Sequence, residues 1–305
     1  MVSGRVSVMA LQEVGVNGRN THGRDNNEEI LEEVFRQELP REFRGADIDK
    51  VSLDANGQPV MRDGKPIYSP ERYADSRYTA TNDKGATRNM TLTRDRFDSQ
   101  GREVPFDTSA EKAPTVAYSA HLEEQDKTYS LTYAANNKEG SYGNSVLLAP
   151  GYEVEDAQQQ VLGHDPDGEQ RSALAVTFRT PDGQEGTAIS AHLSNGREQD
   201  QGEARVTQLR TLSRFSEAYD NTVILGDYNT YPGQEYGRGL LDFLPFVDPD
   251  KTPSASSLGF VDPDRGVRHI DRIFTQGDVS VGPRNEFEES AGGSDHPLVT
   301  WDVTL

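Results

Sequence analysis

The chain contains no cysteine. That one absence excludes disulfides, thiolate nucleophiles and cysteine-ligated zinc, and leaves carboxylates, amides and imidazoles to carry any metal or acid–base chemistry. Lysine is scarce, 7 of 31 basic residues, and the formal net charge is -20. An acidic molecule of this kind does not grip nucleic acid by charge alone, although bound cations would reverse the field inside a local site. The same balance also suits a salt-adapted protein. No apolar run approaches the roughly 20 residues that a membrane-spanning helix needs. Met1-Val2-Ser3-Gly4-Arg5 has no signal-peptide core, so the two readings of location are cytoplasmic, or secreted with a leader removed. No Pro/Ser-rich linker or low-complexity run divides the 305 residues. We therefore expect a monomer with one domain over residues 1–305 and a substantial core.

Against these absences stands Val223-Ile224-Leu225-Gly226-Asp227-Tyr228-Asn229-Thr230. Its aliphatic run reads as a buried strand that a glycine breaks just before an Asp and an Asn two positions apart. On an extended backbone those two side chains share a side and together would hold one ligand. By itself the segment reads rather as a turn, because Asp and Asn after a strand commonly bond their own backbone. Four further stretches end an apolar strand in a charged or hydrogen-bonding group: Gln12-Glu13, Ala191-His192-Leu193, Ile270-Asp271-Arg272-Ile273-Phe274 and Ser294-Asp295-His296-Pro297. Loops beyond strand ends are where sites usually lie.

In chain order, Arg5 to Val14 reads as a strand ending at Gln12-Glu13. Asn26-Asn27-Glu28-Glu29 opens a packing helix carried by Ile30, Leu31, Val34, Phe35 and Leu39 as far as Pro40. Residues 45–113 are polar and weakly patterned, with a hairpin expected around Asn56-Gly57. Strands are expected at Val116–Tyr118, Tyr129–Tyr133 and Val146–Ala149. Ser172–Phe178 and Thr187–Leu193 should pair across Pro181-Asp182-Gly183. Glu203 to Tyr219 reads as an amphipathic helix with Val206, Leu209, Leu212 and Phe215 on one side. Leu240 to Phe246 is a short apolar segment, Thr252 to Gly259 a loop, Gly292 to His296 a tight loop, and Leu298 to Leu305 a last strand.

Glu13, His192, Asp227, Asn229, Asp271, Asp295 and His296 thus sit at or near strand ends. Brought together bare, the carboxylates would repel, so convergence implies a cation among them. Hard cation, carboxylates and imidazole together suit attack of water on phosphate.

With Tyr142-Gly143-Asn144 added, these motifs occur in the order and style of the endonuclease/exonuclease/phosphatase superfamily, which the chain resembles from Glu13 to Asp302. The resemblance implies an α/β fold, a four-layer α/β/β/α sandwich with two mixed β-sheets packed face to face. It implies a Mg²⁺-dependent phosphodiesterase, with Mn²⁺ or Ca²⁺ as alternative ions. Among its branches we expect a nuclease acting on DNA or RNA, because the Ile270 motif lacks the Trp-Cys-Asp-Arg pattern of inositol-phosphate phosphatases and no apolar hairpin stands out for a lipid substrate. Glu13 resembles the principal metal ligand, with Asp295 assisting. Asp227 resembles the carboxylate that orients or deprotonates the attacking water, and Asn229 a phosphate-oxygen ligand. His296 is similar to the imidazole that donates to the phosphoryl oxygen, Asp271 to the group fixing its tautomer, and His192 to the second site histidine. Arg171 and Asn144 resemble substrate or site-edge contacts.

Two departures accompany the resemblance. Family members begin with a strand carrying an Asn ligand, and none lies among the twelve residues before Glu13; the expectation is a late-started chain or a fold that works without it. Residues 45–113 look like an insertion that shapes substrate choice or binds a partner. The alternatives are a sphingomyelinase-like or other small phosphoester hydrolase and, in another class, a catalytically weak binding protein on the same scaffold.

Overall fold

Period-two alternation of apolar residues builds most of the protein. The computed structural model describes residues 8–15, 25–69, 73–95, 115–136, 142–196, 198–229, 260–262, 266–268, 271–287 and 298–305. The first sheet consists of β1 (Val8–Val14), β2 (Ile48–Leu53), β5 (Asp75–Thr81), β6 (Thr87–Arg94), β7 (Thr115–Leu122), β8 (Lys127–Ala135) and β9 (Gly143–Leu148), in the order β1-β9-β8-β7-β6-β5-β2. A small hairpin, β3 (Met61–Arg62) and β4 (Lys65–Pro66), precedes β5. The second sheet is β10 (Glu153–His164), β11 (Gln170–Arg179), β12 (Glu185–His192), β13 (Thr222–Asp227) and β16 (Asp271–Gln276), in that order. Two further pairs are β14 (Phe260–Asp262) with β15 (Gly266–Arg268) and β17 (Ser280–Phe287) with β18 (Leu298–Thr304).

The helices α1 (Asn26–Glu38) and α2 (Gln199–Ser216) cover the outer faces. Asp25 caps α1 by accepting from the Asn27 N–H, and Glu28 and Glu29 occupy its first turn, where the helix dipole favours acid. The helix stops where Leu39 turns extended before Pro40, as the proline ring requires of its neighbour. Leu31 and Phe35 of α1 pack with Tyr78, Met90, Leu92, Tyr118 and Leu131 on one face of the first sheet. Ala134, Val146 and Leu148 leave its other face and meet Leu174, Val176, Phe178, Ala188 and Val223 of the second sheet. The intervening residues Ala173, Ala175, Ile189, Ala191 and Ile224 turn outward to Leu209 and Leu212 of α2. Helix, sheet, sheet, helix is the expected four-layer order.

The mixed character expected of both sheets belongs to the second alone. Every pair in the first is antiparallel, and the parallel pair is β12 with β13. Parallel neighbours need a crossover, and α2 supplies it between β12 and β13, whereas short turns link β5 to β6 and β7 to β8 in the first sheet. Residues 48–94, within the stretch read as an insertion, add β2, β5 and β6 to the edge of that sheet. The Asn56-Gly57 turn forms, with Val60 N–H bonding the Ser52 carbonyl at 2.8 Å, but β2 takes its ladder partner from β5. In α2 the stripe is shifted from the expected one: Arg205 and Gln208 face inward and Val206 is half-buried. Leu240 to Phe246, Thr252 to Gly259 and Gly292 to His296 lie outside the described residues. Among the described residues no helix is long and apolar enough to cross a membrane.

Candidate active site

Down the face of the second sheet that looks toward the first, side chains grade from apolar to charged. On β12, Ala188, Ser190 and His192 follow one another on that face; on β13, Val223, Leu225 and Asp227 do the same. The parallel register sets His192 beside Asp227, and the antiparallel register sets Asp271 opposite Asp227 along the backbone. Gly226 permits this closeness, since a Cβ there would lie 1.9 Å from the Ala191 carbonyl oxygen.

The first sheet contributes β1. Its register with β9 slips by one residue between Leu11 and Val14, and Glu13 adopts a left-handed φ of 57°. The bulge returns Val14 to the core and turns Glu13 out, leaving its side chain 65% exposed. Gln12 donates to Ser190 Oγ at 3.0 Å, and Ser190 donates to the Leu11 carbonyl at 3.1 Å, which ties β1 to β12 directly below the charged groups.

Glu13, His192, Asp227 and Asn229 therefore converge. His192 Nε2 lies 3.6 Å from Asp227 Oδ2 and 3.9 Å from Glu13 Oε1. Tyr142 Oη donates to Glu13 Oε1 at 2.9 Å and lies 2.7 Å from His192 Nδ1. The Asn229 amide donates to the Leu193 carbonyl at 2.9 Å and stands 3.2 Å from His192 Nε2. Both expectations for Asp227-Tyr228-Asn229 meet here in altered form. Asp227 Oδ1 accepts from the Asn229 N–H at 2.8 Å, the local turn, while Oδ2 faces His192. Asn229 is past the strand end with a φ of 48°, so it reaches the site around the corner and not as the i+2 residue of a strand. Tyr228 between them is buried against Phe274.

Arg171 is buried and its guanidinium is engaged: Nη1 donates to Tyr142 Oη at 2.9 Å, and Nη2 bonds Glu169 at 2.9 Å and Asp165 at 3.2 Å. Burial works against its charge, yet Tyr142, Glu169 and Asp165 outweigh it and raise its pKa. Burial raises the Glu169 carboxyl, Arg171 pulls it back, and Asp165, Glu13 and Asp167 add to the rise. Burial also pushes the Tyr142 phenol up, against Arg171 and with Glu13, so it stays a protonated donor. Asn144 is placed away from this cluster. It is fully buried between the sheets and donates to the Ser172 carbonyl at 3.0 Å and to Ser172 Oγ at 3.2 Å, in a knot with Gln159 and Asn136 that joins the two sheets.

Two groups of site residues escaped the sequence reading. Tyr142 stood in a quoted motif but was given no role; its signal is its position directly before Gly143, where a Cβ would lie 2.1 Å from the Ala134 carbonyl and which therefore presses β9 onto β8. Arg205 donates to the Ser194 and Gly196 carbonyls, and Gln208 bonds both the Ser194 N–H and its hydroxyl, so α2 pins the loop that follows His192. Asp295 and His296 lie outside the described residues, and of Asp271 only the backbone is described.

Among the described residues no three His, Asp or Glu side chains are grouped to hold a metal ion. Among the described residues Glu13 fits as a ligand: it is exposed, and no hydrogen bond to its Oε2 is made from them. A hard divalent cation takes such an oxygen.

The model of the Endonuclease/Exonuclease/phosphatase family matches residues 3–296, and the chain belongs to that family. No curated protein matches it. Similar solved structures include the endonuclease/exonuclease/phosphatase from Bacteroides vulgatus, with 20% identity and a TM-score of 0.46 over 58% of this chain and 76% of that one. Another is D. rerio TDP2 complexed with single-strand DNA product, with 17% identity and a TM-score of 0.45 over 58% and 77%. The human Nocturnin catalytic domain with bound sulfate is similar at 14% identity and a TM-score of 0.44, over 58% and 72%.

Proposed function

We propose that the protein is a divalent-metal-dependent phosphodiester hydrolase acting on DNA or RNA. The observation that carries the reading is the meeting of Glu13 from a bulged strand with His192, Asp227 and Asn229 at the ends of β12 and β13. Membership of a family of phosphoesterases and nucleases supports it.

In this reading Glu13, joined by Asp295, holds Mg²⁺. When bound, the ion supplies charge stabilisation at the phosphoryl oxygens. Asp227, whose Oδ2 looks into the site, orients the attacking water and accepts its proton. Asn229 meets a phosphate oxygen, which requires that oxygen to replace His192 Nε2 as acceptor for its amide. His296 donates to the phosphoryl oxygen, with Asp271 fixing its tautomer. Arg171, already shared between two carboxylates and a phenol, acts on substrate through Tyr142 and not by direct contact. Asn144 serves by holding the sheets together.

The test is to incubate the purified protein with plasmid DNA, single-stranded RNA and bis-p-nitrophenyl phosphate, each with Mg²⁺, Mn²⁺ or chelator. Asp227→Ala and His296→Ala serve as controls. We expect chelator-sensitive cleavage of a nucleic acid, reduced by about 10²- to 10⁴-fold in either variant, with the far-UV spectrum unchanged. Cleavage of the small diester alone would remove the nucleic-acid assignment. Near-normal turnover in both variants would remove the assignment of the site.

A further inference from the structure

The loop after His192 leaves the sheet, and α2 takes over the hydrogen bonding of its backbone. Leu193 N–H still bonds the Asp227 carbonyl at 3.0 Å, one residue past the end of β12. Ser194 is fully buried, and a polar backbone group without a partner is costly there. Arg205 and Gln208, about one helical turn apart on the buried face of α2, meet that demand. Arg205 Nη1 donates to the Ser194 carbonyl at 2.9 Å and to the Gly196 carbonyl at 2.7 Å. Gln208 Oε1 accepts from the Ser194 N–H at 2.9 Å, and its Nε2 donates to Ser194 Oγ at 2.6 Å. A backbone N–H can only donate, so the first of these bonds fixes which end of the Gln208 amide is which.

The Ser194 N–H that Gln208 holds belongs to the same planar peptide unit as the Leu193 carbonyl. That carbonyl accepts from the Asn229 amide at 2.9 Å. A single rigid plane thus stands between Gln208 and Asn229, and tilting one end tilts the other. Asn229 is buried past the end of β13 in left-handed backbone, with a φ of 48°, where no strand pleat sets the direction of its side chain. Its N–H is tied to Asp227 Oδ1 at 2.8 Å, which holds its backbone, and the Leu193 carbonyl holds its amide. An amide NH₂ has two hydrogens, so the one on Leu193 determines where the other points.

We propose that Gln208, braced by Arg205, is a positioning residue for substrate: through the Leu193–Ser194 peptide it aims the Asn229 amide at the phosphate oxygen. Neither α2 side chain needs to touch the substrate for this. The kinetic consequence rests on the role proposed for Asn229, while the aiming of its amide does not.

The experiment compares wild type, Gln208→Met, Gln208→Glu, Asn229→Ala and the double variant Gln208→Met/Asn229→Ala, all as the full chain. Met is close to Gln in length and cannot hold the Ser194 N–H, whereas Glu keeps an acceptor for it. Hydrogen exchange followed by ¹H–¹⁵N NMR reads the Ser194 backbone amide and the Asn229 side-chain amide, the latter assigned by its loss in Asn229→Ala. Cleavage of bis-p-nitrophenyl phosphate in Mg²⁺ gives kcat/KM. In wild type we expect the two amides to be protected equally within about tenfold, as groups that open together are. In Gln208→Met the Asn229 amide should exchange faster by about tenfold or more, and kcat/KM should fall by roughly tenfold to a hundredfold, the loss that a small misplacement brings. Gln208→Glu should exchange and cleave close to wild type; behaviour matching Gln208→Met would overturn the inference. In the Asn229→Ala background Gln208→Met should cost less than about threefold, since its route to the substrate is gone. Unequal protection in wild type, or unchanged exchange of the Asn229 amide in Gln208→Met, overturns the inference, and the first of these needs no variant to fold. An equal loss from Gln208→Met in both backgrounds means a role in folding alone and overturns the kinetic part. If the wild type cleaves nothing, the proposed function fails while the exchange measurement still decides the aiming of Asn229.

Discussion

Two residues at the site, Glu13 and Asn229, hold left-handed backbone that costs side-chain-bearing residues about 1 kcal/mol or more. Each is held there by neighbours: Glu13 by the bulge and Tyr142, Asn229 by Asp227, Leu193 and His192. Elsewhere a single carboxylate shows the opposite design. Glu32 of α1 is partly buried, which pushes its pKa up, but hydrogen bonds from Lys50 and Arg36 outweigh burial and lower it overall. A carboxyl with a lower pKa folded than unfolded stabilises the fold when ionised. Its contribution is complete above the unfolded value of about 4.3 and disappears as pH falls through the folded value. The urea midpoint should therefore fall from about pH 6 to about pH 3. In Glu32→Gln the midpoint should be lower at the upper pH and the fall shallower, because the variant has no carboxyl left to protonate. Equal slopes in the two proteins would show that Glu32 contributes nothing.

At the scale of elements, the register of β12 with β13 places His192 against Asp227, and Gly226 is its weak point. A methyl group there would meet the Ala191 carbonyl oxygen at 1.9 Å, a backbone atom that cannot swing aside. Gly226→Ala should cost about 3 kcal/mol or more, at the upper end of overpacking penalties, because the strands must part. Thermal unfolding would read it as a large drop in Tm, with loss of activity at temperatures where the variant is still folded. A Tm within a degree or two of wild type would mean that the strands are not so close. Gly226 was legible as a break after an aliphatic run, and so were β12, β13, α1 and the pairing of β11 with β12, because apolar period and punctuation agreed there. β10 was not, since Gln158, Gln159 and Gln160 occupy an edge strand whose buried contacts are few. β5 and β6 were hidden by small and polar inward residues such as Ser76 and Arg94. Arg205 and Gln208 read as solvent-facing because the groups that satisfy them, the Ser194 and Gly196 carbonyls for Arg205 and the Ser194 N–H and hydroxyl for Gln208, belong to the loop after His192 and not to the helix. The charged strand ends were readable singly. That Tyr142 reaches both Glu13 and His192 was not, because it depends on segments from both sheets.

For the molecule as a whole, charge sets how a polymeric substrate arrives. A formal charge of -20 on 305 residues gives long-range repulsion toward a polyanion, and Arg171 at the site is already paired with two carboxylates. Salt shortens the reach of that repulsion, from a Debye length of about 30 Å at 0.01 M to about 8 Å at 0.15 M. A basic nuclease loses affinity for DNA as salt rises, because bound counterions are released on association. This protein should show the opposite sign at constant saturating Mg²⁺: kcat/KM on single-stranded RNA or DNA should rise between those two ionic strengths. On bis-p-nitrophenyl phosphate, which carries a single charge, it should barely change. The rise should lie in KM and in the association rate and not in kcat, since steering acts on encounter. A fall in kcat/KM with salt on the polymer would mean that a local cationic surface dominates the approach, and would relocate substrate contact to residues beyond the cluster of Glu13, His192, Asp227 and Asn229.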